Sequence, residues 1–162
     1  MLALSIKQPW TDALAKGQKS IEVRKWAQSQ VESARKLVGR WVALHAGKQP
    51  DLGAPVYVGQ RAFGNAMFSW VQVKAERCGG IVGIARLADL ERFTPETWES
   101  KKADHLNPLT WWDEGLIGLH FALAARLDTI IRCPGQLGFF RLEDRTLAVL
   151  LRKLEGQGVR LD

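Results

Sequence analysis

The sequence predicts an α+β fold that is rich in strands, a small and partly closed β-barrel flanked by helices. Five or six short segments alternate apolar with polar residues, or are uniformly apolar, as strands are. A few segments between them have the apolar period of helices, and glycines mark several corners. Neither a repeat nor a linker divides the 162 residues, a length that buries its own core. We therefore expect one domain over residues 1–162.

The N-terminal segment predicts a strand and then a helix. Residues 2–7 (LALSIK) alternate large apolar side chains with small or polar ones, which indicates a half-buried strand. Residues 8–17 (QPWTDALAKG) carry an early proline, which suits a first helical turn, and end at Gly17, a common helix stop. Trp10, Ala13 and Leu14 fall on one face of this helix.

Residues 17–26 (GQKSIEVRKW) have the pattern of a charged strand. Ile21 and Val23 share one face of this strand. Glu22 and Arg24 therefore stand side by side on the other face, because side chains alternate with a period of two. This face predicts a charged cleft that holds a ligand. The alternative is an ion pair that orders a surface hairpin, and an exposed pair of that kind contributes only about 0–1 kcal/mol.

The middle of the chain predicts two strands separated by a loop and a helix. Residues 39–47 alternate as a strand, and residues 48–59 contain prolines and glycines that indicate a loop. Residues 61–76 predict one amphipathic helix, whose apolar face is Phe63, Ala66, Met67, Trp70 and Val71. Residues 79–90 predict a buried strand with glycines at which another backbone approaches closely.

The C-terminal part predicts an irregular segment, two strands and a helix. Residues 91–115 are polar and irregular around a short helix near residues 94–100. Residues 119–127 and 135–142 read as strands joined by a turn. Residues 143–155 predict a helix whose packing face is Leu147, Leu150, Leu151 and Leu154.

The positive charge is concentrated in the first third of the chain. The formal net charge is +6. Residues 1–48 hold nine Lys or Arg and three acids, whereas residues 49–162 hold fourteen of each. This asymmetry predicts a surface that faces a polyanion such as nucleic acid.

Several classes of protein are excluded by the composition and the motifs. Cys78 and Cys133 are isolated, so they make neither a disulfide framework nor a metal site. No metal-ligand spacing, P-loop or dinucleotide loop occurs, and we expect no cofactor. No apolar run approaches the roughly 20 residues of a membrane span. The apolar stretch at the N-terminus is short and has neither a basic start nor a small-residue cleavage site, so we expect no secretory signal. We therefore expect a cytoplasmic protein without a membrane partner.

Three motifs occur in a fixed order: S-x-x-Q-P-W at 5–10, G-x-K-x-x-E-x-R at 17–24 and G-R-x-x-x-x-H-A at 39–46. Together with the strand at 79–90 and a final strand pair, this order resembles the ASCH domain family, whose members are related to PUA RNA-binding domains. The resemblance covers residues 2 to about 142, and it is weakest in the insert at 49–78, at 91–115 and in the C-terminal helix. It implies a PUA-like barrel of six mostly antiparallel strands. In such a barrel, the first helix and the signature strand line a cleft suited to RNA or a modified nucleoside.

The resemblance leaves several activities open, because a fold does not select one function. Members of the family have been linked to RNA binding, DNA binding, RNA cleavage and deacylation of acetylated cytidine. The deacylating branch pairs the signature lysine with a threonine three residues on. Here Lys19 matches the lysine, but Glu22 stands at the threonine position.

We expect RNA binding through a basic cleft that accepts a single-stranded segment or a modified nucleotide. One alternative is a metal-independent ribonuclease or nucleoside amidohydrolase, with Lys19 and Glu22 as catalytic residues. Another is a protein-interaction module that uses the insert at 49–78. The sequence does not indicate the oligomeric state.

The candidate ligand residues are basic, aromatic or hydrogen-bonding side chains near the three motifs. They are Lys7, Gln8, Trp10, Lys19, Glu22, Arg24, Lys25, Trp26, His45 and Lys48. The basic residues would meet phosphate or base edges, and the tryptophans would stack on bases. A buried core position is an open alternative for Trp10 and the favoured one for His45. Trp111 and Trp112 cannot both point inward in an extended segment, so we expect one of them to be either exposed or packed under the loop, and we favour packing.

Overall fold

A six-stranded sheet forms the framework of the computed structural model, which describes residues 1–64 and 68–162. The strands are β1 (Leu2–Ile6), β2 (Ile21–Arg24), β3 (Trp41–Ala46), β4 (Gly80–Arg92), β5 (Ile117–Arg132) and β6 (Phe139–Arg141). The helices within those ranges are α1 (Trp10–Ala15), α2 (Gln28–Arg35), α3 (Val56–Phe63), α4 (Trp70–Arg77), α5 (Pro95–Ser100), α6 (Lys102–His105) and α7 (Asp144–Gly156), with a 3-10 turn at Leu109–Trp111. No helix in the two described ranges is long and apolar enough to cross a membrane.

The strand order is β2-β5-β4-β3-β1-β6. The β1–β3 pair is parallel and every other pair is antiparallel. The sheet curls into a half-barrel, which confirms the predicted α+β fold with six mostly antiparallel strands. The strands predicted at 119–127 and 135–142 both exist, but they do not pair with each other. β5 lies between β2 and β4, whereas β6 crosses to the far edge beside β1.

The curl depends on close backbone contact between β4 and β5. The register between these two long strands shifts at three places, and such bulges bend a sheet. A Cβ at Gly80 would lie 2.4 Å from the carbonyl oxygen of Ile131, and a Cβ at Gly83 would lie 2.4 Å from that of Ala125. The prediction of close backbone approach at these glycines is therefore confirmed.

Each face of the sheet is covered by a different helix. On one face, α1 is buried along its whole length and packs with residues such as Leu4 and Leu44. On the other face, α7 packs with residues such as Ala3 and Ile84. Leu4 and Ala3 are neighbours in β1, so the alternation of the strand directs them to the two separate cores.

A buried ionic cluster holds α1 in position. The carboxylate of Asp12 is fully buried and accepts hydrogen bonds from Arg77 Nε and Nη2, both at 3.1 Å, and from Arg126 Nε at 2.9 Å. Gln8 Nε2 donates to the same carboxylate at 2.8 Å and to the carbonyl oxygen of Arg77 at 2.9 Å. The cluster thus joins α1 to the end of α4 and to β5.

The insert differs from its prediction at two places. The loop predicted over 48–59 already contains the start of α3. The single helix predicted over 61–76 is wrong, because α3 ends at Phe63 and α4 starts at Trp70. Gly64 adopts a φ of +97°, which a helix cannot include, and the Ser69 hydroxyl caps α4 by accepting from Gln72 N. Two residues of the predicted apolar face, Ala66 and Met67, lie outside the described residues.

The leucine face of α7 is narrower than predicted. Leu150 and Leu154 are buried at 0% and 1% exposure, but Leu151 is 43% exposed. Successive residues are turned by about 100° around a helix, so the residue after Leu150 lies at the edge of the packed face.

Leu150→Ala is expected to lower the free energy of unfolding by about 2–5 kcal/mol, because it removes methyl groups from a closed core. The matched change Leu151→Ala should cost less than about 1 kcal/mol, since that side chain is largely solvated. Urea unfolding of both variants measures the two values. Equal losses would show that α7 does not pack as described.

Candidate functional site

One cleft of about 680 Å³ opens where the ends of β1 and β3 meet α1 and β2. Seven of the ten predicted ligand residues line it, and they are Lys7, Trp10, Lys19, Glu22, Arg24, His45 and Lys48. The three sequence motifs are therefore brought together by the fold, although 28 residues lie between the end of the first motif and the start of the last.

The floor of the cleft contains a buried lysine. Lys19 is 1% exposed, and its ammonium donates to the carbonyl oxygen of Ile21 and, at 2.9 Å, to that of His105. Its Nζ lies 3.5 Å from Glu22 Oε2 and 5.0 Å from the centre of the Trp10 ring. Burial lowers the pKa of Lys19 from 10.5 to about 8, and the Glu22 carboxylate opposes that shift. The ammonium is therefore mostly protonated at pH 7.

Glu22 lies between Lys19 and Arg24. Its Oε1 is 3.3 Å from Arg24 Nε, although that contact lacks the alignment of a hydrogen bond. The pair does stand side by side, as the alternation of the strand predicted. Arg24 Nη2 also donates to the carbonyl oxygen of Ser5 at 2.7 Å. Because β2 and β1 do not pair through their backbones, this bond ties the edge strand β2 across the mouth of the half-barrel.

Two tryptophans form an aromatic wall. Trp10 is 7% exposed, and its Nε1 donates to Asp51 Oδ2 at 2.8 Å. The ring of Trp111 lies 6.2 Å from it, centre to centre, and is 43% exposed. Of the two alternatives for one tryptophan of the pair, exposure holds for Trp111, so the favoured packing under the loop is wrong. Trp112 instead lies partly buried beside Trp98, at 6.2 Å between ring centres.

His45 lies in the wall of the cleft and is 2% exposed. Its Nδ1 is 3.1 Å from Ser5 Oγ, and its Nε2 is 3.0 Å from the carbonyl oxygen of Cys133. Burial lowers the pKa of His45, and the bond to the Cys133 carbonyl opposes the shift. The imidazole is therefore neutral at pH 7.

Three predicted ligand residues do not line the cleft. Gln8 is fully buried in the Asp12 cluster beneath α1. Lys25 is exposed and forms an ion pair with Asp113. Trp26 lies beyond the end of β2 and packs against the ring of Phe139, 5.9 Å away between centres.

Several other residues that line the cleft lie outside the three sequence motifs, so the motifs did not predict them. Asp51 comes from the insert, Asn107 and Trp111 come from the segment after α6, and residues 135–137 come from the loop between β5 and β6. For the segment after α6, only the adjacent tryptophans Trp111 and Trp112 could have indicated a place in the site. The side chain of Leu137 at the lip of the cleft is 99% exposed.

The lining residues carry an excess of positive charge. The ammonium groups of Lys7 and Lys48 are exposed at the rim, and Lys19 and Arg24 lie deeper. Glu22 and Asp51 are the acids of the lining, and Asp51 accepts from Trp10. Among residues 1–64 and 68–162, no cluster of three or more His, Cys, Asp or Glu could hold a metal ion.

A family model of the ASCH domain matches residues 4–126. The chain belongs to the ASCH domain family. This domain is a PUA-like fold that is generally associated with RNA binding. No curated protein sequence matches the chain.

Solved structures support the fold assignment. The chain is similar to the crystal structure of an ASCH protein from Zymomonas mobilis, at 11% identity and a TM-score of 0.55, with 93% of each chain covered. A tyrosine-to-phenylalanine mutant of that protein gives 12% identity and a TM-score of 0.57, covering 93% of this chain and 96% of the other. At such low identity these likenesses establish the shared fold alone.

The buried ammonium of Lys19 predicts a specific pH dependence of stability. Between pH 8 and 10.5 the unfolded chain keeps the Lys19 proton and the folded chain has lost it, so this residue makes the free energy of unfolding rise with pH. Lys19→Met removes that contribution. Urea unfolding from pH 7.5 to 10.5 should therefore show the stability of the wild type increasing relative to that of the variant. Lys36→Met, at an exposed site, is the control and should keep a constant offset. Parallel curves for wild type and Lys19→Met would contradict the prediction.

Proposed function

We propose that this ASCH domain binds RNA in the cleft, as a single-stranded segment or a modified nucleotide. The observation that carries the proposal is that the partly exposed Trp111 lines the same cleft as the exposed residues Lys7 and Lys48. Proteins that bind single strands combine these two features, a stacking surface and cations that follow the backbone. The proposal takes residues 1–162 as one domain, which the packing of α7 onto the sheet supports.

The rim lysines would meet phosphate groups. Within the described residues, Lys7 and Lys48 form no ion pair and donate no side-chain hydrogen bond. Binding a phosphate therefore displaces only solvent and counterions from them. Lys25, which sequence reasoning placed in the same group, already has Asp113 as a partner.

The interior of the cleft would hold a base. A volume of about 680 Å³ is in the range of clefts that enclose small ligands, roughly 300–1,000 Å³. Stacking on the exposed face of Trp111 would contribute about 1–3 kcal/mol per base. Glu22 is an acceptor at the floor that could take a hydrogen bond from a base amine. A splayed base in such a cleft is typical of single-strand recognition, whereas duplex RNA is recognised mostly by its shape.

Charge reversal at the rim tests this proposal. The double variant Lys7→Glu and Lys48→Glu should weaken binding to a single-stranded RNA oligonucleotide. It should also lower the slope of log affinity against log salt by about 0.7 per lost phosphate contact. The matched control is Arg35→Glu with Lys36→Glu, which makes the same change of charge at exposed positions outside the cleft. Equal losses in the two double variants would indicate attraction by net charge and would contradict binding in the cleft.

A hydrolase is the second candidate, because the lowered pKa of Lys19 beside Glu22 is a feature of catalytic sites. The geometry around Lys19 favours a positioning role for this residue over a catalytic one. Two carbonyl oxygens and the Glu22 carboxylate already surround the ammonium, which has three protons to donate. To act as a base or nucleophile, Lys19 would have to lose a proton and one of these partners.

The binding proposal predicts that RNA is retained intact. Oligonucleotides incubated with the protein in a chelating buffer should be recovered at full length and unmodified, as gel electrophoresis and mass spectrometry would show. Metal-independent cleavage or deacylation that disappears in Glu22→Gln, while that variant still binds, would favour the hydrolase instead.

A further inference from the structure

Ser5 and His45 form a hydrogen-bonded pair in the wall of the cleft. They are directly paired residues of the parallel strands β1 and β3. Ser5 Oγ lies 3.1 Å from His45 Nδ1, and both residues line the 680 Å³ cleft. The serine is half-buried, whereas the histidine is almost completely buried behind it.

The hydrogen-bond partners fix where the protons are. His45 Nε2 is 3.0 Å from the carbonyl oxygen of Cys133, which can only accept, so Nε2 carries the ring proton. In a neutral imidazole, Nδ1 then has a free lone pair. The Ser5 hydroxyl must therefore donate its proton to His45 Nδ1. The hydrogen bond from Ser5 Oγ to His45 Nδ1 is therefore a path along which the hydroxyl proton can be transferred to the imidazole.

We propose that Ser5 is a nucleophile activated by His45 and that the cleft catalyses acyl transfer from small carboxylic esters. A nucleophile and a base within 2.6–3.2 Å, with the base oriented by a third group, form the recurring arrangement of covalent catalysis. The third group here is the Cys133 carbonyl. The proposal is independent of RNA binding, because neither Lys7, Lys48 nor Trp111 takes part in it.

The reaction balances with water as the only co-reactant. Ser5 Oγ attacks the ester carbonyl carbon while its proton passes to His45 Nδ1. The C–O bond to the alcohol breaks, and that proton goes to the leaving alcohol. Water then attacks the acyl-serine, giving a proton to Nδ1. The bond to Ser5 Oγ breaks, the acid leaves, and the proton returns to the serine.

The surroundings of Ser5 offer donors for the negative oxygen that forms during the attack. Arg24 Nη2 donates to the backbone carbonyl oxygen of Ser5 at 2.7 Å, so the guanidinium contacts the same residue. Gly135 comes so close that a Cβ there would lie 2.3 Å from His45 Cε1 and 2.8 Å from Ser5 Oγ. In the described part of the chain, no acceptor takes a hydrogen bond from the backbone N–H groups of residues 135–137. A glycine at 135 therefore allows a loop with free N–H donors to lie against the pair.

Diisopropyl fluorophosphate tests the proposal, since it forms a bond from serine Oγ to phosphorus with loss of fluoride. Peptide mass spectrometry would compare labelling of Ser5 with that of Ser33, an exposed serine on α2, in the same sample. We expect Ser5 to react about 100-fold faster, because a general base contributes at least that factor. His45→Gln should reduce Ser5 labelling to the rate of Ser33. Circular dichroism would establish that this variant is folded.

Two results would overturn the proposal. One is a Ser5 that reacts no faster than Ser33 in the wild type, and the other is a folded His45→Gln variant that labels Ser5 at the wild-type rate. If the variant does not fold, p-nitrophenyl acetate decides the matter in the wild type and Ser5→Ala. The wild type should release one equivalent of p-nitrophenolate in a burst, with the acetyl group located on Ser5. A wild type without that burst, or a folded Ser5→Ala that keeps it, would contradict the nucleophile.

Discussion

The burial of one ammonium group is the constraint on which the cleft depends. A desolvated charge is strongly unfavourable unless acceptors surround it. Lys19 meets this requirement by drawing together the start of β2, the end of α6 and the Glu22 carboxylate. Glu22 in turn pairs with Arg24, and Arg24 reaches the Ser5 carbonyl across the open side of the half-barrel. The charged residues of the signature sequence thus connect β2 to β1 across the open side of the half-barrel, and they also form the floor of the cleft.

A second buried charge, Asp12, determines where α1 lies relative to this floor. Arg77 and Arg126 both donate to it, so one carboxylate connects the helix to α4 and to β5. The helix then presents Trp10 to the cleft, where the ring lies over Lys19 and beside Trp111. Because buried partners of this kind cannot be lost one at a time without a large penalty, the position of the aromatic wall is linked to the integrity of the core.

The floor of the cleft comes from the three sequence motifs, whereas part of its rim comes from segments outside them. Trp111 belongs to the segment after α6, and residues 135–137 belong to the loop before β6. Family membership accounts for the half-barrel, and the family is generally associated with RNA binding, but a shared fold does not select the ligand. In our proposal the groups at the rim select the ligand. The hydrogen-bonded Ser5 and His45 lie in the same cavity.

The sequence by itself determined the features that depend on local period and backbone space. The strand alternation placed Glu22 beside Arg24, and the glycines of β4 marked a close backbone contact. The motif order, through its resemblance to the ASCH domain family, predicted the six-stranded fold and seven of the seventeen residues that line the cleft. Only the tertiary structure decided which partners meet, such as Asp12 with Arg126, the exposure of Trp111, and the place of β6 beside β1. The physical reason is that the repeat of side chains along a strand or a helix is set by neighbouring residues. The burial of a side chain and the pairing of strands depend instead on elements that pack together from distant parts of the chain.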